Sequence, residues 1–224
     1  MVFDMDASGD IQTFTNSYGS ISTALSNPAN SVDDATTQDG GLIFDGTRYV
    51  YSVNDDYSLQ TYTALVAIDP VTGDLEGSPT YTDHPLSQLA ALATDGNQNY
   101  LVAYVQSGST SGTVRYWMFN SALAASGSAD VLIDDVGTPM IDPLAQPVSA
   151  VWDGAEYLVA YEKVVGGQNQ PFVQRVSASG SKIGAPDPIA PVGSSIALAP
   201  MTGGAVAAWI DASGRVQSRM LKYR

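Results

Sequence analysis

Three stretches of this chain align on an Asp-Gly pair, and that repetition constrains the fold more than any other feature. They are QDGGLIFDGTRYVYS from Gln38, QLAALATDGNQNYLVAY from Gln88 and QPVSAVWDGAEYLVAY from Gln146. In each, a Gln stands seven residues before the Asp, matching Gln38 with Asp45, Gln88 with Asp95 and Gln146 with Asp153. A Tyr follows the Asp by four or five residues, at Tyr49, Tyr100 and Tyr157, and the Tyr-to-Tyr intervals are 51 and 57 residues. A fourth, worn copy reads SSIALAPMTGGAVAAWI, where Thr202-Gly203 replaces the Asp-Gly and Ala205 the Tyr. Periods of this order belong to solenoids, propellers and arrays.

Each unit reads as a set of strands. In the third, PVSAVW is a short apolar strand and Asp153-Gly154 turns it into Tyr157–Tyr161, apolar throughout and so predicted to be buried on both faces. GGQNQ at 166–170 reads as a loop, PFVQRVSA at 171–178 alternates like a third strand, and SKIGAPDPIA reads as an outer strand whose prolines suit an edge. Four antiparallel strands per unit of this length is the measure of a β-propeller blade. The spacing therefore predicts an all-β fold, one propeller domain over 1–224, with blades at 38–85, 86–145, 146–195 and 196–224. The last lacks a fourth strand. The N-terminal hairpin at 1–14 is predicted to complete it, closing a four-bladed ring and removing an exposed edge.

Composition supports this reading and limits the function. Asp outnumbers Glu by 20 to 3 and there are only 3 Lys, so strong helix formers are scarce and little helix is expected. The net charge of −14 repels phosphate backbones and anionic lipids, so no nucleic-acid partner and no membrane insertion are expected. No Cys is present, which excludes disulfides and thiolate chemistry. No apolar run has the length of a membrane-spanning helix, and the start MVFDMDASGD has neither the basic nor the apolar region of a signal peptide.

The pattern Gln, then Pro-x-x-Ala-Val-Trp-Asp-Gly, then Tyr-Leu-Val-Ala-Tyr, then Gln-Arg-Val-Ser-x-x-Gly resembles the tandem repeats of bacterial extracellular β-propeller proteins. The third unit carries it best, and it extends loosely over most of 38–224. The resemblance implies a propeller fold and an extracellular or cell-surface location. It does not select a ligand, since one fold serves many functions.

The chemistry-bearing residues are few. His84 is the one histidine, so neither a histidine zinc site nor a hydrolase triad can be assembled, and it reads as a turn residue. Asp4, Asp6 and Asp10 have the spacing of a short calcium loop, but position 12 is Thr15 rather than Glu. They are read as part of a hairpin turn, and calcium there is the single metal candidate; no catalytic or cofactor-binding residue is assigned. Asp45, Asp95 and Asp153 read as turn residues, the three repeated Gln as caps, and Trp117, Trp152 and Trp209 as core.

The sequence points first to a non-catalytic binding or interaction module. It would hold a protein or glycan partner on the polar, unlike loops at 54–58, 107–112 and 166–170. Two alternatives stand beside it. One is a carboxylate-dependent glycoside-active enzyme. The other is a structural subunit that joins copies through open blade edges. A monomer is expected, with a ring-sharing dimer or a head-to-tail oligomer as the other arrangements.

Overall fold

A computed structural model describes residues 2–5, 11–14, 16–17, 20–21, 31–32, 35–57, 60–77, 80–81, 87–107, 112–126, 130–137 and 148–222. All regular structure among them is β. The N-terminal part forms β1 (Val2–Met5), β2 (Ile11–Phe14), β3 (Asn16–Ser17), β4 (Ser20–Ile21) and β5 (Ser31–Val32). The first repeat follows as β6 (Ala35–Phe44), β7 (Tyr49–Tyr57), β8 (Gln60–Ile68) and β9 (Thr80–Tyr81). The second is β10 (Ser87–Thr94), β11 (Tyr100–Ser107), β12 (Gly112–Phe119) and β13 (Val131–Gly137). The third is β14 (Val148–Trp152), β15 (Glu156–Val165), β16 (Gln168–Ser177) and β17 (Lys182–Pro188), and the last is β18 (Ser194–Met201), β19 (Gly204–Ile210) and β20 (Val216–Leu221).

Each repeat is one antiparallel sheet in chain order: β6-β7-β8-β9, β10-β11-β12-β13, β14-β15-β16-β17 and the three-stranded β18-β19-β20. Successive sheets meet through their first strands, β6 against β10, β10 against β14 and β14 against β18. The second strands explain the apolar runs in the sequence. Along β11, Tyr100, Val102 and Tyr104 pack toward the first sheet with Val50, Leu65 and Ala67, while Leu101, Ala103 and Val105 pack toward the third with Val148, Tyr157 and Val159. Along β15, Leu158 and Ala160 join Ile196, Ala205 and Ala207 of the fourth sheet. A strand whose alternate side chains enter two different cores has no polar face. Each fully buried Val or Leu there contributes about 1.5–3 kcal/mol.

The Asp-Gly turns form as the sequence predicts. Gly46, Gly96, Gly154 and Gly203 all take positive φ, at 101°, 77°, 103° and 75°. The second turn is one residue longer than its neighbours. It closes from Asp95 N–H to the Asn99 carbonyl, whereas the first and third close to Arg48 and Glu156. Gln98 takes φ of 61° and absorbs the extra residue.

Three expectations are corrected. The chain ends do not share a sheet: β1 pairs with β2, β2 with β5, and β20 with β19 alone among the described residues. Among the described residues β1, β2 and β5 form a three-stranded sheet of their own, and none of them adds to β20. The stretch 166–170 is not a loop. Gly166 and Gly167, both at positive φ, make the two-residue turn that favours tight hairpins, so Gln168–Gln170 continue as strand against Lys163–Val165. Likewise Asn54–Tyr57 are strand, paired with Gln60–Thr63, and Ser107 pairs with Gly112. The expected partner-binding loops at 54–58 and 166–170 are thus ladder over 54–57 and 168–170, while 108–111 lie outside the described residues.

The paired glycines of the fourth turn give a graded test. A Cβ on Gly204 would lie 2.1 Å from the Leu221 carbonyl oxygen, whereas Gly203, at φ 75°, faces open space. Gly203→Ala is expected to cost about 1 kcal/mol through backbone strain alone. Gly204→Ala should cost about 3 kcal/mol, because β19 and β20 must separate to admit it. Urea denaturation of the two variants measures the ordering.

Candidate functional site

The Asp of each repeat does its first work locally. Asp45 Oδ1 accepts from the Thr47 and Arg48 N–H groups at 2.8 and 2.9 Å. Asp153 Oδ1 accepts from Ala155 and Glu156 N–H at 2.8 and 2.9 Å, and Asp95 Oδ1 from Asn97 N–H at 2.7 Å. Short polar side chains that bind the backbone two or three residues on are the ordinary chemistry of turns. Asp95 Oδ2 also accepts from the Asn99 amide at 2.8 Å, so both of its oxygens are fixed.

The repeated Tyr does something the spacing did not reveal. Tyr100 reaches back to the first sheet and donates to Asp45 Oδ2 at 2.5 Å, while Arg48 donates to the Tyr100 oxygen at 3.2 Å. Arg48 also donates to the Ser121 carbonyl and pairs with Glu76 at 3.4 Å. In the next repeat, Tyr157 donates to the Asn99 carbonyl of the second turn at 3.0 Å. At the other end of β15, Tyr161 donates to Asp134 at 2.9 Å beside a 2.8 Å bond from Lys163 to the same carboxylate. Burial pushes the Tyr100 hydroxyl up to about 12 and those of Tyr104, Tyr157 and Tyr161 further up, so all remain donors.

A cavity of about 480 Å³ lies where the first strands of all four sheets meet. Phe44 and Ile43 line it from β6, Leu92 from β10, Trp152 from β14 and Pro200 from β18, with Asp95 among the lining residues. Trp152, expected in the core, thus has one side on this space and the other against Tyr157, ring centroids 4.7 Å apart. Trp117 is buried as expected. Nothing in the alternation of VSAVW marks Trp152 as different from a core residue. Its position follows from lying last on an innermost strand.

Glu162 is a second carboxyl of unusual setting. It lies on β15 and accepts from the Ile196 N–H of β18 at 3.3 Å and from the Asn169 amide at 3.2 Å. Burial pushes its carboxyl up despite these bonds. Neither the polarity of its neighbours nor its place after an apolar run signals this, because the burial comes from the fourth sheet.

Among the described residues no group of three or more His, Asp and Glu is placed to hold a metal. Asp6, Asp10 and His84 lie outside the described residues, and so does the Asp4 side chain, although its backbone belongs to β1. Gln38, Gln88 and Gln146 side chains also lie outside them. No described helix is long and apolar enough to cross a membrane.

No family model matches the chain, and no curated protein matches it. Among solved structures, it is similar to the endo-arabinase from Bacteroides thetaiotaomicron VPI-5482, at 10% identity over 82% of this chain and 73% of that chain, with a TM-score of 0.46. A likeness of that degree carries no inference about activity. The expectation of a non-catalytic binding or interaction module is corrected to this extent: no comparison supports it, and the matched structure is named as an enzyme.

Two titrations test the electrostatics. Burial pushes the Asp45 carboxyl up, but the bonds from the Tyr100 hydroxyl, the Arg48 and Thr47 backbone and the Thr47 hydroxyl outweigh it and hold it at about 2. A carboxyl depressed on folding stabilises above its unfolded value near 4 and loses that stabilisation as the pH falls toward 2, a contribution on the order of 2 kcal/mol. The stability gap between the wild type and Asp45→Asn should be widest at pH 7 and close toward pH 2 in urea melts. Glu162 has the opposite sign. Its raised carboxyl makes the charged form a cost that is present at pH 7 and absent once both states are protonated. Glu162→Gln keeps an acceptor for Ile196, so its melting temperature is expected to exceed that of the wild type at pH 7 and to match it below about pH 4.

Proposed function

We propose that the four sheets are the blades of a single β-propeller domain, working outside the cell or at its surface, and that it is a glycoside-active enzyme. The carboxylates would be those at the axial cavity. One observation carries this reading: first strands from all four sheets line a single cavity of about 480 Å³ with aromatic side chains and a carboxylate together. A volume of this order suits a small ligand, and Trp152 and Phe44 offer faces on which sugar rings stack.

Glycoside hydrolysis uses two carboxyl groups flanking the scissile bond. Asp95 is the carboxylate in the lining, oriented through both oxygens by Asn97 and Asn99. Asp153 follows Trp152 directly. Its Oδ1 is occupied by the turn, and its Oδ2 has no partner among the described residues. These two are assigned as the pair. The neutral, largely apolar remainder of the lining fits an uncharged sugar.

Turnover of aryl glycosides of neutral pentoses and hexoses tests the assignment. Activity is expected on at least one, reduced about a hundredfold or more in Asp95→Asn and in Asp153→Asn. Trp152→Ala should raise KM. Absence of turnover across the panel, or turnover that survives both carboxylate substitutions, would overturn the reading.

A further inference from the structure

Charge is distributed very unevenly along this chain. Residues 1–162 hold 21 acidic side chains against two basic ones, Arg48 and Arg115, for a net of −19. Residues 163–224 hold seven basic side chains against Asp187 and Asp211, for a net of +5. Charge asymmetry of this kind marks where a ligand of opposite sign can approach.

The basic part contains a second cavity, of about 720 Å³, between the outer strands of the third sheet and β20 of the fourth. Val173, Ile189 and Leu221 give it an apolar floor, and all three are buried. Arg219 lines it from β20 and Lys222 from just past the end of that strand, with Arg175 and Asp187 also in the lining. Arg175 is held by Glu156 through two bonds of 2.6 and 2.9 Å and is thereby neutralised. Arg219 gives one N–H to the Ile189 carbonyl at 3.2 Å, and its other donors are unpartnered among the described residues. Lys222 is exposed, likewise without a partner among them. Two cations therefore face an apolar-floored cleft with a single exposed carboxylate to offset them.

The position of the cleft bears on what would fill it. Strand side chains stand roughly perpendicular to their sheet. Arg219 reaches from β20 to Ile189 in the third sheet, so the cleft lies between the faces of two sheets. It is not the lane beside the β20 edge, where an added peptide strand would run. A compact ligand with an anionic group and an apolar face matches the lining better. A guanidinium beside an ammonium binds a planar carboxylate well, because the fork of the first is complementary to its two oxygens.

We propose that this cleft is a binding site for an acidic sugar, with a uronate carboxylate between Arg219 and Lys222 and the ring on Val173, Ile189 and Leu221. The site is separate from the axial cavity and does not depend on the activity assigned there.

Calorimetric titration of the full chain tests it, using oligogalacturonate, its methyl ester, a sulfated oligosaccharide of equal length and a poly-glutamate peptide. Oligogalacturonate is expected to bind, more weakly as salt rises, and the methyl ester not to bind. In the double variant Arg219→Gln, Lys222→Gln the affinity should fall by about tenfold or more. Circular dichroism checks that this variant is folded, as the exposure of both side chains leads one to expect. Retained neutral-glycoside turnover would separate this site from the axial one. The proposal is overturned if no acidic sugar binds, or if the double variant binds as well as the wild type. It is equally overturned if the sulfated sugar or poly-glutamate binds and oligogalacturonate does not.

Discussion

A phenol hydroxyl carried on the second strand of one sheet and received by the preceding sheet holds this array in register. Tyr100 to Asp45, Tyr157 to Asn99 and Tyr161 to Asp134 all run in that direction, and Tyr116 runs the other way to the Gly180 carbonyl. Apolar burial between sheets is large but tolerant of sliding. A buried hydroxyl is not tolerant, since leaving it unpaired costs about 1–3 kcal/mol. One Tyr thus supplies both the ring that fills the interface and the bond that fixes its offset. The fourth sheet has Ala205 at the equivalent place, and there the work passes to other groups: Leu198 N–H donates to Ser149 Oγ at 3.0 Å, and Ile196 N–H to Glu162.

That offset decides what the first strands can be. Where four sheets converge, backbones approach closely and side chains must be small. Ala90, Ala91 and Ala93 on β10 and Ala197 and Ala199 on β18 meet this condition, and Gly41 on β6 sits where a Cβ would touch Leu92 at 3.6 Å. The aromatic residues lining the axial cavity, Phe44 and Trp152, stand at the strand ends, beside the turns. Phe44 and Trp152 both stand immediately before an Asp-Gly pair. The aromatic lining of the cavity therefore lies next to the turn carboxylates.

Much of this was readable in the residues. The Asp-Gly turns, the order of strands within each repeat and the burial of Tyr157–Tyr161 on both faces follow from local chemistry and period. What was not readable is long-range. No sequence period distinguishes a Tyr that packs from one that also bonds a turn 50 or so residues earlier, as Tyr100 does. Trp152 and Glu162 owe their settings to a neighbouring sheet, and nothing beside them in the chain reports it. The loops at 54–58 and 166–170 were misjudged because polarity was taken for irregularity. Strands that extend past the packed region carry polar residues and still pair. The fourth repeat could be seen to lack a strand, but that β1 pairs with β2 and not with β20 is a long-range choice no local pattern reports.

The segregation of charge gives the two cavities opposite characters. In the acidic part of the chain both basic side chains are engaged, Arg48 with Asp45 and Glu76, and Arg115 with Asp130 at 2.5 Å. No cation there is left to receive an anion, and 21 carboxyl groups discourage one from approaching. The cavity there is lined by aromatic and aliphatic side chains, with Asp95 as its charged residue. At the third and fourth sheets the balance reverses, with Arg219, bound by one N–H to the Ile189 carbonyl, and Lys222 beside an aliphatic floor. The two cavities thus differ in charge because the chain places its acidic and basic residues in different sheets.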